Sequence, residues 1–279
     1  MQIQDVKSLL PDKVAAQTVR PTARTELLSV PFHSEDYYIR VFTARNARLH
    51  RWLTWWRNYV SSKNEITTPV FHGHATPEAF ATYQYEALRD VFGNGGWVAS
   101  PVTVATGNGL GVVVTERADT DPGIESTVLG SDQFLSVLRT VKTFHMNGYI
   151  HNDLPRNIFQ KTATSRLVIT NPVGDFKSGR APAAEAYDLI CLMALFTPTL
   201  GAWAVAHRVY DEYPLETFEQ LIPMAKTLKK TQSRTDNWAV QRTANAIAEV
   251  LYEETGQTPA GINFDPDSPE ETVNLAGDA

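Results

Sequence analysis

Apolar residues fall in two rhythms along this chain, and the change between them divides it. In the first half they come in short β-branched and aromatic runs. "YYIRVF" (Tyr37–Phe42) reads as a strand, and "WVASPVTVA" and "LGVVVTER" read as a strand pair joined by "TGNG", a strong hairpin signal. Two helical periods interrupt these strands. Over residues 46–59, Leu49, Trp52, Leu53 and Trp56 recur at spacings of three and four. That spacing predicts an amphipathic helix, with the tryptophans expected in the core rather than on a binding surface. Pro77 opens a second helix, "PEAFATYQYEALRDVF", which "GNGG" closes.

After "ADTDPG" the rhythm becomes helical. Ser131 is the expected N-cap of a helix with Phe134, Leu138 and Val141 on one face, and Asn147-Gly148 ends it. A polar loop "HNDLPRN" and the short strands "IFQ" and "RLVIT" follow. Beyond "NPVGDFKSGRAP" only helices are expected, over residues 183–196, 201–210, 215–229 and 236–254. Runs of strands followed by runs of helices predict an α+β chain in two lobes. The expected boundaries are an N-terminal extension at 1–26, a sheet-rich lobe at 27–118, a helical lobe at 119–255 and an acidic flexible tail at 256–279.

Charge narrows the function classes. The net charge of −6 over 279 residues is unevenly placed: Asp265, Asp267, Glu270, Glu271 and Asp278 fall in the tail, which has no base. Of the 31 acids that leaves 26 against 25 bases, so the body is nearly neutral and offers no electrostatic footprint for nucleic acid or a membrane surface. Cys191 is the sole cysteine, which excludes a disulfide framework and a Cys-based metal site, and within "LICLMALF" it reads as a small buried residue. That run is too short to span a bilayer, and the N-terminus lacks a basic start followed by an apolar block. A soluble cytoplasmic protein is expected.

The chemistry-bearing stretch is "HMNGYIHNDLPRNIFQ" (145–160), with His151, Asp153 and Asn157 on the loop between helix and hairpin. This loop, the helix before it and the polar loop after the hairpin resemble the protein kinase-like superfamily over roughly residues 37–188. The resemblance implies a bilobal protein kinase-like fold with a sheet-rich N-lobe and a helical C-lobe, binding ATP with Mg²⁺ or Mn²⁺. It makes Asp153 the base that orients an attacking hydroxyl, with His151 beside it, and Asn157 the metal-ligand Asn that also contacts nucleotide. Strand register puts Asn171 at the second metal-ligand position, with Asp175 as a further candidate. Glu86 takes the place of the glutamate on the helix over the nucleotide site, and Asp188 that of a buried Asp tethering the loop backbone. His151 is expected to pack its ring beneath the loop, and His145 to be an ordinary polar residue near a helix end.

The departures from the family are equally specific. "LLSVPFHSED" has no glycine, so no glycine-rich phosphate loop precedes Tyr37. The strand position that the family fills with Lys carries Arg40, or His72 in a second register, and Arg is a planar fork rather than a compact ammonium. The loop from Asp153 to Asn157 is one residue shorter than the family's H-x-D-x-x-x-x-N, and "NPV" stands where the family has D-F-G. "VITNPVG" is similar to an "ITDPV" segment of kinases encoded by some tailed phages. The short interval from Asn171 to Asp188 resembles lipopolysaccharide and small-molecule kinases of the superfamily. Two readings follow: a phosphotransferase with an atypical metal site, acting on a protein or small-molecule hydroxyl, or an inactive pseudokinase that binds a protein partner. For the second, Trp52, Trp55 and Trp56 or the acidic tail are the natural contact regions.

Overall fold

The computed structural model describes residues 3–22, 28–64, 66, 71–117, 120–121, 130–152, 154, 158–161, 166–172, 182–231 and 236–256. Its first half is built on a five-stranded antiparallel sheet in the order β1-β2-β3-β5-β4. The strands are β1 (Arg20–Pro21), β2 (Val30–His33), β3 (Tyr37–Phe42), β4 (Pro101–Gly107) and β5 (Leu110–Glu116). Asn108 and Gly109 join β4 to β5 at φ +53° and +70°. Both are left-handed, as a two-residue type I′ hairpin requires, and Asn-Gly is the pair that tolerates it. Strand β2 was not foreseen, because Pro31 interrupts its pattern; Pro31 nonetheless sits opposite Arg40 of β3.

The sheet is covered on both faces. Ile39, Val41, Val112 and Val114 pack against Val6, Leu10 and Val14. Those three come from α1 (Ile3–Lys7), α2 (Asp12–Ala15) and the turn between them, so the N-terminal residues close one side of the sheet. On the other face Phe42 and Val113 meet Phe80 and Ala81 of α4 (Pro77–Gly93). Thr76 caps α4 through its side chain and Pro77 occupies the first turn, where no amide donor is needed. Gly111 lets the two elements touch, because a Cβ there would lie 2.2 Å from the Pro77 carbonyl oxygen.

Helix α3 (Ala44–Ser62) follows β3 and starts with a capping box between Thr43 and Asn46. Its tryptophans are not in the core: Trp52, Trp55 and Trp56 are 56%, 60% and 36% exposed. The buried face carries Asn46, Ala47, His50, Thr54, Val60 and Ser61, with His50 stacked on His74 and Phe80. The spacing grouped the tryptophans on one face correctly. The opposite, smaller and more polar face is the one that fits the interior.

The remainder is mostly helical. A second sheet, β6 (Thr120–Asp121), β7 (Ile158–Lys161) and β8 (Arg166–Ile169), lies beside α5 (Ser131–Met146). Gly130, not Ser131, is the N-cap of α5, with Gln133 reaching back to its amide at 2.8 Å. Helix α6 (Pro182–Leu200) is long and apolar enough to cross a membrane by length and composition. Here it is the central core helix, buried nearly all round by α5, α7 (Ala202–Glu212), α8 (Leu215–Glu219), α9 (Leu221–Thr231) and α10 (Asn237–Thr255). Cys191 lies within it, buried as expected. The sheet-rich half and the helical half together are the bilobal α+β arrangement expected of a kinase-like fold. They are stitched together where Ala99 donates to the Ile169 carbonyl at 3.0 Å and Ile169 donates to the Trp97 carbonyl at 2.9 Å.

Candidate active site

The loop after α5 is pinned from three sides. After the Asn147-Gly148 turn, with Gly148 at φ +76°, the chain runs through Tyr149 and Ile150 to His151 and Asn152. From α6, the fully buried Asp188 receives the His151 amide on Oδ2 at 2.6 Å and the Asn152 amide on Oδ1 at 2.7 Å. From α4, the Tyr83 hydroxyl donates to the Ile150 carbonyl at 3.0 Å and accepts from its amide at 3.3 Å. From α3, Arg57 Nη1 donates to the Asn152 carbonyl at 3.1 Å. Asn152 is left-handed at φ +69°, which an Asn tolerates better than most residues.

A carboxylate that accepts two adjacent backbone amides makes charge-assisted hydrogen bonds, stronger than the neutral kind. Behind Asp188 stands His145, with Nε2 3.3 Å from Oδ2 and Nδ1 3.0 Å from the Tyr213 hydroxyl. His145 is therefore buried and part of the tether, not the ordinary polar residue its place near a helix end suggested. His151 turns its ring beneath the loop as expected. Its Nε2 is 2.7 Å from the Thr170 carbonyl, so that nitrogen carries the proton, and the ring stands edge-on to Phe144. Burial pushes the His151 pKa below the ordinary histidine value, and the nearby Arg40 charge pushes the same way against Asp188 and the Thr170 hydrogen bond. His151 is a neutral post under the loop.

Arg40 is 2% exposed, with its guanidinium 4.6 Å from the centre of the Tyr38 ring. Asn171 follows directly after β8 and Thr170, in the left-handed region at φ +58°. Its carboxamide oxygen accepts from Gln84 Nε2 of α4, and both side chains are buried. Gln84 Oε1 is buried with no hydrogen-bond partner among the described residues. The site thus brings together His151, Asn152, Asn171 and Gln84, with Arg40 near enough for its charge to act on His151. Glu86 stands elsewhere on α4, half-buried, where its charge acts on Arg89 and Tyr149. Among the described residues no ion pair joins Glu86 to Arg40. Asp153, Asn157 and Asp175 lie outside the described residues.

Gln84, Tyr83 and Arg57 were not picked out from sequence, and His145 was read there only as a polar residue near a helix end. Gln84 did leave a signal: it is a polar residue inside the buried stripe Phe80, Ala81, Tyr83, Ala87, Leu88 and Val91.

No family model matches this chain, and no curated protein matches it. Among solved structures it is similar to two double-mutant forms of the PknI kinase domain of Mycobacterium tuberculosis. For one, identity is 11% and the TM-score 0.39, with 84% of this chain and 96% of that chain covered. For the other, identity is 10% and the TM-score 0.37, with 82% and 95% covered.

Proposed function

We propose that this chain is a cytoplasmic ATP-dependent phosphotransferase of the kinase-like superfamily, acting on a hydroxyl of a protein or small molecule. The observation that supports this best is the tether: the Asp188 carboxylate holds the amides of His151 and Asn152, directly before Asp153. A backbone held by a buried charge, a tyrosine and an arginine is the kind of support that an acid or base needs to keep a working geometry. In this reading Asp153 accepts the proton of the attacking hydroxyl, a role worth about 10²–10⁴-fold. Arg40 supplies positive charge towards the phosphates, and the neutral His151 sets the loop height.

A divalent cation would draw on Asn157, Asn171 and Asp175. Of these, Asn171 fits poorly. It is a neutral amide where a hard dication favours carboxylate oxygens, and its oxygen already accepts from Gln84. No step is therefore assigned to the metal.

The test is thermal unfolding with and without ATP, each with and without Mg²⁺ or Mn²⁺, on wild type and Asp153→Ala. A ligand at about 100 times its Kd stabilises by about 2.7 kcal/mol, or roughly 5–10 °C for a chain of this size. A nucleotide-dependent rise supports the reading. No rise with any nucleotide or metal would sink it and leave a protein-binding module.

A further inference from the structure

The outer face of α3 gathers four of the large hydrophobic side chains that are exposed among the described residues, Trp52, Trp55, Trp56 and Tyr59. Arg45, Arg48, Trp52, Trp55, Trp56, Tyr59 and Lys63 follow one another at helical spacing, and no acid occurs from Thr43 to Asn64. All seven are exposed. The rings are ordered among themselves: Tyr59 stacks on Trp55 at 5.9 Å and on Trp56 at 5.8 Å, with Lys63 Nζ 5.7 Å from the Tyr59 ring centre. Over about 28 Å of helix, this is an aromatic stripe with cations towards both ends. A contiguous exposed aromatic patch on a folded chain marks something that covers it.

We infer that the chain's own acidic C-terminal segment, residues 257–279, docks on this stripe. Three observations favour that occupant. The segment mirrors the stripe chemically: Ile262, Phe264, Val273 and Leu275 interleave with Asp265, Asp267, Glu270, Glu271 and Asp278, and it has no base. It starts within reach, because α9 packs against both α3 and α10, the helix that ends just before Gly256, and Asn64 at the foot of α3 bonds Thr227 of α9 at 3.1 Å. Two helix-to-helix spacings together with the full length of α10 come to about 50 Å, against a span of up to about 75 Å for an extended segment of this length. Tethering also gives the segment an effective concentration on the order of millimolar, which a free acidic partner must exceed. A second copy is disfavoured, since the same arginines and lysine would face each other across a two-fold axis.

The test uses the full chain with Ala276→Cys carrying a nitroxide; Cys191 is buried and stays unlabelled. The indole N–H signals of Trp52, Trp55 and Trp56, assigned by single Trp→Phe replacements, should lose intensity several-fold relative to the reduced label, while Trp203 on α7 keeps its own. The loss should persist on dilution with unlabelled chain. It should disappear in a variant carrying Asp265→Asn, Asp267→Asn, Glu270→Gln and Glu271→Gln. Unchanged indole signals would overturn the inference, as would equal broadening in the neutralised variant. Broadening that vanishes on dilution would assign the stripe to a second copy instead. Phosphatidylserine vesicles that bind wild type as tightly as the neutralised variant would also contradict it, since a docked segment must compete with them.

Discussion

Replacing Asp188 by Asn changes one oxygen to an amide nitrogen and removes one charge in a site with no room to rearrange. The carboxylate accepts three interactions, from the His151 amide, the Asn152 amide and His145. An Asn side chain offers one acceptor oxygen, so one of the two backbone amides must face an N–H group. A hydrogen bond to a charged group is worth about 1.5–3 kcal/mol, and a buried donor left without a partner costs about 1–3 kcal/mol. Because the two describe overlapping losses, Asp188→Asn should cost about 3 kcal/mol, or roughly 6–12 °C in Tm. Asp188→Ala, which strands both amides, should cost more. Circular dichroism gives the midpoint. Hydrogen exchange gives the location: amides 151 and 152 should exchange faster, while the β3–β5 ladder keeps its protection. A variant within about 2 °C of wild type, with unchanged exchange at 151 and 152, would refute the tether as the element that fixes the loop.

Gly111→Ala should cost about 1–3 kcal/mol, because the added Cβ meets the Pro77 carbonyl oxygen and also lies 2.7 Å from Ala81 Cβ, both on α4. Gly93→Ala has open space and should be neutral or stabilise by up to about 1 kcal/mol; urea unfolding of both variants checks the contrast. Asn171→Asp keeps the bond from Gln84 and adds a charge at the position where a dication would sit. The Mg²⁺-dependent part of any ATP-induced Tm rise should grow, and an unchanged metal dependence would contradict the placement of Asn171. His151 has its pKa lowered in the folded chain, so the unfolded chain binds the extra proton first. Stability from this group is complete above the unfolded value of about 6.5 and falls as pH drops below it, by up to about 1.4 kcal/mol per pH unit. Urea midpoints across that range should fall less steeply for His151→Asn than for wild type.

Local chemistry carried most of the fold in the sequence. Asn108-Gly109 specified a hairpin, and Pro77 specified a helix start, because few other residues meet those backbone demands. The order of strands and helices specified two lobes. Orientation was harder to read. Spacings of three and four put Trp52 and Trp56 on one face of α3, but periodicity does not say which face turns inward. Here the small, polar side fits against His74 and Phe80. Pro31 hid β2, since a strand without a full set of donors has no ordinary signature.

In the site, Asp188 came through the family resemblance and its two amide bonds match that expectation. The partner of Asn171 did not come through. The family resemblance drew attention to Glu86, whereas the side chain that reaches Asn171 is the neutral Gln84, selected by burial. His145 was misread for the opposite reason: polar residues at helix ends are usually solvated, and only the approach of α6 and Tyr213 buries this one.

Phosphoryl transfer by the tethered loop, as proposed above, should be readable as ATP turnover with water as the acceptor. Wild type and Asp153→Asn would be followed by release of labelled phosphate under single-turnover conditions, with and without Mg²⁺. Wild type should turn over ATP, and Asp153→Asn should be slower by about 10²–10⁴-fold with nucleotide affinity retained. Equal rates in the two proteins, or no turnover while nucleotide is bound, would contradict it.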